Sequence, residues 1–147
     1  MPIRPEEKQK YPANWERISN LIRFDRAKGC CEECGIKHCL IIRRLTGDKW
    51  RIINMHERAC VDGAMRNYSL TEPLALKKLG YVKIVLTTAH LDHDPTNNDG
   101  MDQGGPILPK ERSNLRAWCQ KCHNSYDATH RRAGIEERAA RDQGSLF

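Results

Sequence analysis

Asn114-Leu115-Arg116-Ala117-Trp118-Cys119-Gln120-Lys121-Cys122-His123-Asn124-Ser125-Tyr126-Asp127 is the stretch on which the fold turns. Cys119 and Cys122, spaced Cys-x-x-Cys, make a tight thiolate knuckle, half of a tetrahedral metal site. His123 follows at once, and Asp127 lies one helical turn further on. A helix beginning near Cys119 puts these two side chains on one face. Upstream, Cys31-Glu32-Glu33-Cys34-Gly35 repeats the spacing and adds a glycine where a knuckle turns. Cys31, Cys34, Cys119 and Cys122 therefore predict a four-thiolate zinc site, because soft thiolates at about 2.3 Å fill a closed tetrahedron. The span from Cys34 to Cys119 is long for a zinc finger, so the metal would join distant parts of the chain. Cys30, His38 and Cys39 crowd the first pair and leave its register open; two unrelated knuckles or a redox pair are the alternative. Cys60 reads as a buried thiol.

The whole chain has 147 residues, 39% hydrophobic and 30% charged, which suits a soluble domain with a modest core. No apolar run approaches the roughly 18 residues of a membrane span. Met1-Pro2-Ile3-Arg4-Pro5-Glu6-Glu7-Lys8 lacks the apolar core of a secretion signal, so a cytoplasmic location is expected. In that compartment seven cysteines point to metal ligands or free thiols rather than disulfides. A net charge of +6 favours a polyanionic partner without specifying one.

Outward from the central stretch, residues 1–13 read as a polar extended arm. Asn14 can cap a helix that runs to about Lys28 and stops at Gly29, with Trp15, Ile18, Leu21 and Ile22 as its core stripe. Leu40-Ile41-Ile42 and Trp50-Arg51-Ile52-Ile53 flank the turn Thr46-Gly47-Asp48-Lys49, a hairpin. Residues 55–70 show no clear period, and Pro73 opens a short helix through Leu79. Residues 40–80 thus form an insertion. Tyr81 to Ala89 is the best strand and delivers His90-Leu91-Asp92-His93-Asp94-Pro95 at its end. Ile107-Leu108 offer a short second strand before the central stretch, with Asn114 able to cap the helix. Residues 135–147 read as a tail with a short helix.

His90-Leu91, then Asn114-Leu115, then Cys119-x-x-Cys122-His123 resembles the HNH endonucleases, also called ββα-metal or His-Me finger nucleases. Ala89-His90-Leu91-Asp92-His93-Asp94-Pro95 with Cys119-Gln120-x-Cys122-His123-x-x-Tyr126-Asp127 looks like a branch common in phage and bacterial genomes. Cys31-x-x-Cys34 looks like the zinc knuckle of its four-cysteine members. The likeness covers about residues 14–35 and 81–130. It implies an α+β fold: a small zinc-stapled ββα-metal core over 14–134, with an N-terminal helix and the inserted hairpin and helix segment.

The resemblance also implies hydrolysis of phosphodiesters in double-stranded DNA with Mg²⁺ or another divalent cation, beside the structural Zn²⁺. A water must lose a proton near neutral pH, which suits histidine, and the phosphate gains charge that a hard cation offsets. His90 takes the general-base role, Asn114 orients it, and His123 ligates the cation. Many members place Asp or His just before the base, where this chain has Ala89. Asp92 and His93 are then the candidates for the second ligand, and Asp127 takes the last position of the motif, where many members have histidine. A competing register makes Asp92-His93 the ligand and base pair. Arg112, Arg116, Lys121, Arg131 and Arg132 are the candidate phosphate contacts. The alternative in another class is a zinc-stabilised DNA-binding module without catalysis.

Overall fold

The computed structural model describes residues 3–67 and 78–144. It is a mixed α+β chain that divides into two compact units, Met1–Gly35 with Leu86–Phe147, and Ile36–Val85. Residues 40–80 lie within the second. No helix among the described residues is long and apolar enough to cross a membrane.

The first unit begins with a 3₁₀ turn over Pro5–Lys10, within the segment 1–13 expected to be an extended arm. Pro at the first position removes a donor that such a turn leaves unpaired anyway. Helix α1, Trp15–Asn20, continues into a wider π turn over Leu21–Arg26. Asn14 does not cap it through its side chain, which donates instead to the Met101 carbonyl at 3.3 Å. Ile18 and Ile22, one turn apart, are almost wholly buried against Leu115, Ala117 and Met101. Lys28 and Gly29 then take left-handed backbone and stop the helix.

The same unit holds two antiparallel strands, β4 (Leu86–His90) and β5 (Leu115–Cys119), with Leu86 opposite Cys119 and His90 opposite Leu115. Helix α3, Gln120–Gly144, leaves β5 without a break. Between the strands, the 91–114 loop is pinned by Asp99, whose carboxylate accepts the Ser113 hydroxyl and the Asn114 N–H. Gly105 fits there because a Cβ would stand 2.7 Å from the Gly100 carbonyl oxygen.

The second unit carries strands β1 (Ile41–Arg44), β2 (Trp50–Ile52) and β3 (Tyr81–Lys83) in the order β2-β1-β3, all antiparallel. Helix α2, Met55–Asn67, packs through Val61 onto Ile41 and Ile53. The Asn54 side chain accepts the Glu57 N–H at 2.7 Å, a cap at the third helical residue. Glu57 in turn receives a two-pronged Arg51 and the Tyr81 hydroxyl, which hold its carboxyl below the usual range.

Several expectations change. The single strand over Tyr81–Ala89 is two strands in different sheets, because the backbone of Ile84 bonds to Cys39 and Leu40 before the chain changes partner. Ile107-Leu108 is not a strand; β5 partners β4, so Asn114 precedes a strand and caps no helix. The featureless 55–70 segment is mostly α2. The separate tail helix is the far end of α3. Cys60 is exposed rather than buried. The helix expected from Pro73 lies largely outside the described residues.

Glu32, inside the first knuckle, is the tie between that knuckle and β5. Its N–H donates to the Ala117 carbonyl at 2.8 Å, its carboxylate accepts the Ala117 N–H, and Arg26 grips it with two bonds of 2.8 Å. Arg26 also donates to the Leu115 carbonyl at 2.7 Å. Both side chains are nearly buried. Glu32→Ala strands the Arg26 charge and the Ala117 N–H, so a loss of about 3–5 kcal/mol in urea unfolding with zinc in excess is expected.

Candidate functional site

Cys31 and Cys34 come from the turn after α1, where the Gly35 N–H closes back on the Cys31 carbonyl at 2.9 Å. Cys119 ends β5 and Cys122 lies in the first turn of α3. The four sulfur atoms lie within 4.8 Å of one another, and those of Cys34 and Cys119 are 3.7 Å apart. A tetrahedron with 2.3 Å metal–sulfur bonds has edges of about 3.8 Å. The donor set and its spacing could therefore hold a metal ion such as zinc. Cys30, His38 and Cys39 are not in the group, and all seven cysteines are free thiols rather than bridged.

The thiols differ in environment. Burial pushes the Cys31 thiol up, but backbone N–H groups of Cys34, Cys119 and Glu33 outweigh it and draw its pKa down. Burial, then the neighbouring cysteines, push Cys122 far up, and burial also raises Cys119. A cation at their centre supplies the charge that makes all four thiolates compatible.

Beside the thiols, α3 presents His123, Asp127 and His130 at helical spacing. His123 Nδ1 lies 2.9 Å from the Thr87 hydroxyl of β4, and that hydroxyl also reaches the Trp118 carbonyl at 3.3 Å. His123 Nε2 stands 3.2 Å from one Asp127 carboxylate oxygen, and His93 Nδ1 stands 3.4 Å from the other. Burial lowers the His123 pKa against the opposing pull of Asp127. His93 stacks on His130 with centroids 3.9 Å apart and on Tyr126 at 5.4 Å. Tyr126 is itself fixed, by its hydroxyl on the Leu91 carbonyl and its ring on Trp118.

His93 holds φ +58°, a left-handed backbone that costs a non-glycine residue about 1 kcal/mol or more. The turn around it is held by the His93 N–H on the His90 carbonyl and the Asp94 N–H on the Asp92 carboxylate.

Asn114 joins the two ends of the loop: its amide donates to Asp92 and to the Asn97 carbonyl and accepts the Asp92 N–H. Burial would raise the Asp92 carboxyl, but donors from Asn97, Asp94 and Asn114 bring it down. Both Asp92 oxygens accept hydrogen bonds from the loop, and Asp127 is the carboxylate set between the imidazoles of His93 and His123. His90 is buried, with Nε2 2.9 Å from the Asn98 side-chain oxygen, its face on Trp15 and its edge on Tyr11. The structure therefore brings His93, His123 and Asp127 together and gives the His90 ring other partners. Among the described residues, the cysteines are the only group of three or more ligand-type side chains whose donor atoms converge.

Of the candidate phosphate contacts, Arg116 turns one nitrogen onto the Ser113 and Leu115 carbonyls, and Arg131 donates to the Asn124 carbonyl. Arg112, Lys121 and Arg132 are exposed. Sequence reading passed over Thr87, which carries no local signal; His130, one turn beyond Asp127, is exposed and stacks on His93.

Compared with known proteins, the chain matches no family model, no curated protein and no solved structure.

The thiol cluster makes a direct prediction. The purified protein should carry close to one zinc per chain by elemental analysis. Changing Cys31 and Cys122 to Ser together should remove it and melt the far-ultraviolet dichroism near room temperature; unchanged zinc content would place the metal elsewhere.

Proposed function

We propose that the chain is a divalent-cation-dependent DNA endonuclease of the HNH, or His-Me finger, type. The observation that carries this reading is the array His93–Asp127–His123 at the junction of β4, β5 and α3, next to the thiol cluster. The order of two antiparallel strands followed by a helix with a histidine in its first turn supports it. So does the net charge of +6.

The chemistry follows from the donors. His93 Nδ1 faces Asp127 at 3.4 Å; with the ring proton on Nδ1, Nε2 is the nitrogen that takes a proton from water. Asp127 also meets His123. A hydroxyl has one proton; when Thr87 gives it to the Trp118 carbonyl, His123 Nδ1 is the donor and Nε2 turns its lone pair toward the carboxylate. Two acceptors 3.2 Å apart require positive charge between them. Asp127 and an imidazole of His123 are the residues that would hold a divalent cation, which when bound offsets charge growing on the phosphate. On this reading His93, from the competing register, replaces His90 as base, and the caged His90 supports the loop.

The burial of His90 and its bond to Asn98 also favour a second reading, a zinc-stabilised duplex-binding module without catalysis. Supercoiled plasmid separates the two. Nicking that needs Mg²⁺, Mn²⁺ or Ni²⁺ is expected, reduced about 10²–10⁴-fold by His93→Gly and by His123→Ala. Glycine is the apt replacement at residue 93 because it accepts φ +58° without strain. His90→Ala should lower the unfolding midpoint more than it lowers nicking by the folded fraction. Plasmid left intact by wild-type protein across all three cations, with duplex still bound, would establish the binding module instead.

A further inference from the structure

The far end of α3 carries a concave basic surface that the array above does not use. A groove of about 520 Å³ is lined by Arg4, His130, Arg131, Ile135, Arg138 and Arg141. Residues 131, 134, 138 and 141 recur at helical spacing and share one face of α3. Arg4 joins from the N-terminal segment, where its carbonyl accepts the Glu7 and Lys8 N–H groups. Glu137 is the acid of the groove and reaches Arg141 at 3.5 Å, a fully solvated pair that contributes little. Four guanidinium groups against one carboxylate leave the groove strongly positive. The Arg138 Nε bond to the Gly134 carbonyl uses one of its five N–H donors.

His130 belongs to both places, since it lines the groove and stacks on His93. The basic surface is therefore continuous with the His93–Asp127–His123 array. At 1.5 Å per residue, Arg138 and Arg141 stand about 16 and 21 Å along α3 from Asp127. On duplex DNA that reach is about five to six base pairs. We infer that this groove is a phosphate-binding track that holds the backbone of duplex DNA on one side of the array. The inference rests on the duplex partner proposed above but not on cleavage.

The test uses full-length zinc-loaded protein with no added divalent cation, and fluorescein-labelled random-sequence duplexes of about 8 to about 24 base pairs, read by anisotropy. Each phosphate contact contributes about 0.9 to the slope of log affinity against log salt. The triple variant Arg4→Ala, Arg138→Ala, Arg141→Ala should lose about 2 to 3 units of slope. The duplex length at which its affinity levels off should shorten by about five to six base pairs. Dichroism and zinc content confirm that the variant is folded. An unchanged slope, an unchanged length, or wild-type protein that binds no duplex overturns the inference. Plasmid nicking in parallel keeps the readings apart: a changed slope without nicking leaves the track and removes the nuclease, and nicking with an unchanged slope does the reverse.

Discussion

Four sulfur atoms drawn from two knuckles 85 residues apart in sequence, Cys34 to Cys119, set the geometry of the first unit. Four thiolates at that spacing are unfavourable without positive charge, since burial already raises the Cys119 and Cys122 thiols and the neighbours raise Cys122 further. The protein supplies its own partial answer at Cys31, where three backbone N–H groups stabilise the thiolate. A cation such as zinc could meet the rest of the requirement, and metal affinity and folding would then be one free energy. Cys119 ends a strand and Cys122 sits in the first helical turn, so an ion on both sets the angle at which α3 leaves β5. Everything α3 presents to solvent inherits that angle.

The knuckle is held a second time by an interaction that involves no metal. Glu32 exchanges backbone and side-chain bonds with Ala117, and Arg26 locks Glu32 while reaching Leu115. These contacts fall on β5 between the buried side chains of Leu115 and Cys119. The third tie is Asn114, which closes the 91–114 loop from its far end. With the loop closed and Tyr126 fixed on Leu91, His93 is kept in a left-handed conformation that an isolated turn would abandon. Strain of that kind persists only where the surroundings over-determine it, and here it sets an imidazole against Asp127.

What could be read from the residues alone was what depends on spacing. The two Cys-x-x-Cys pairs, the 40–54 hairpin and the placement of His123 and Asp127 one turn apart follow from local geometry. The failures share another cause. Tyr81 to His90 is a continuous run of good strand formers, and β propensity does not record that β3 and β4 pair with different partners. Leu115 to Cys119 was hidden by the knuckle it leads into, because a Cys-x-x-Cys signal dominated a five-residue strand. Helix α2 has apolar residues scattered around its circumference, so no stripe announced it, although Asn54 followed by Glu57 was a legible cap. The motif favoured His90 over His93 as base, but a three-residue separation at a strand end leaves each ring's partners to the turn between them.

Helix α3 poses the remaining physical question, because none of its side chains is buried and yet it runs 25 residues. Its first turns are anchored by the thiol cluster, by Tyr126 on Trp118 and by His123 on Thr87. Beyond His130 the contacts recorded among the described residues are surface ones, such as Glu137 with Arg141 and Arg138 on the Gly134 carbonyl, and such pairs are worth a few tenths of a kcal/mol. A helix polar on all sides gains nothing from core packing, so its length calls for another explanation. Between residues 131 and 144 four arginines are interleaved with Glu136, Glu137 and Asp142, so the excess is one positive charge, and on the groove face Glu137 is the acid. A phosphate backbone held on that face, as inferred above, would give the distal half of α3 the partner that its surface pairs do not.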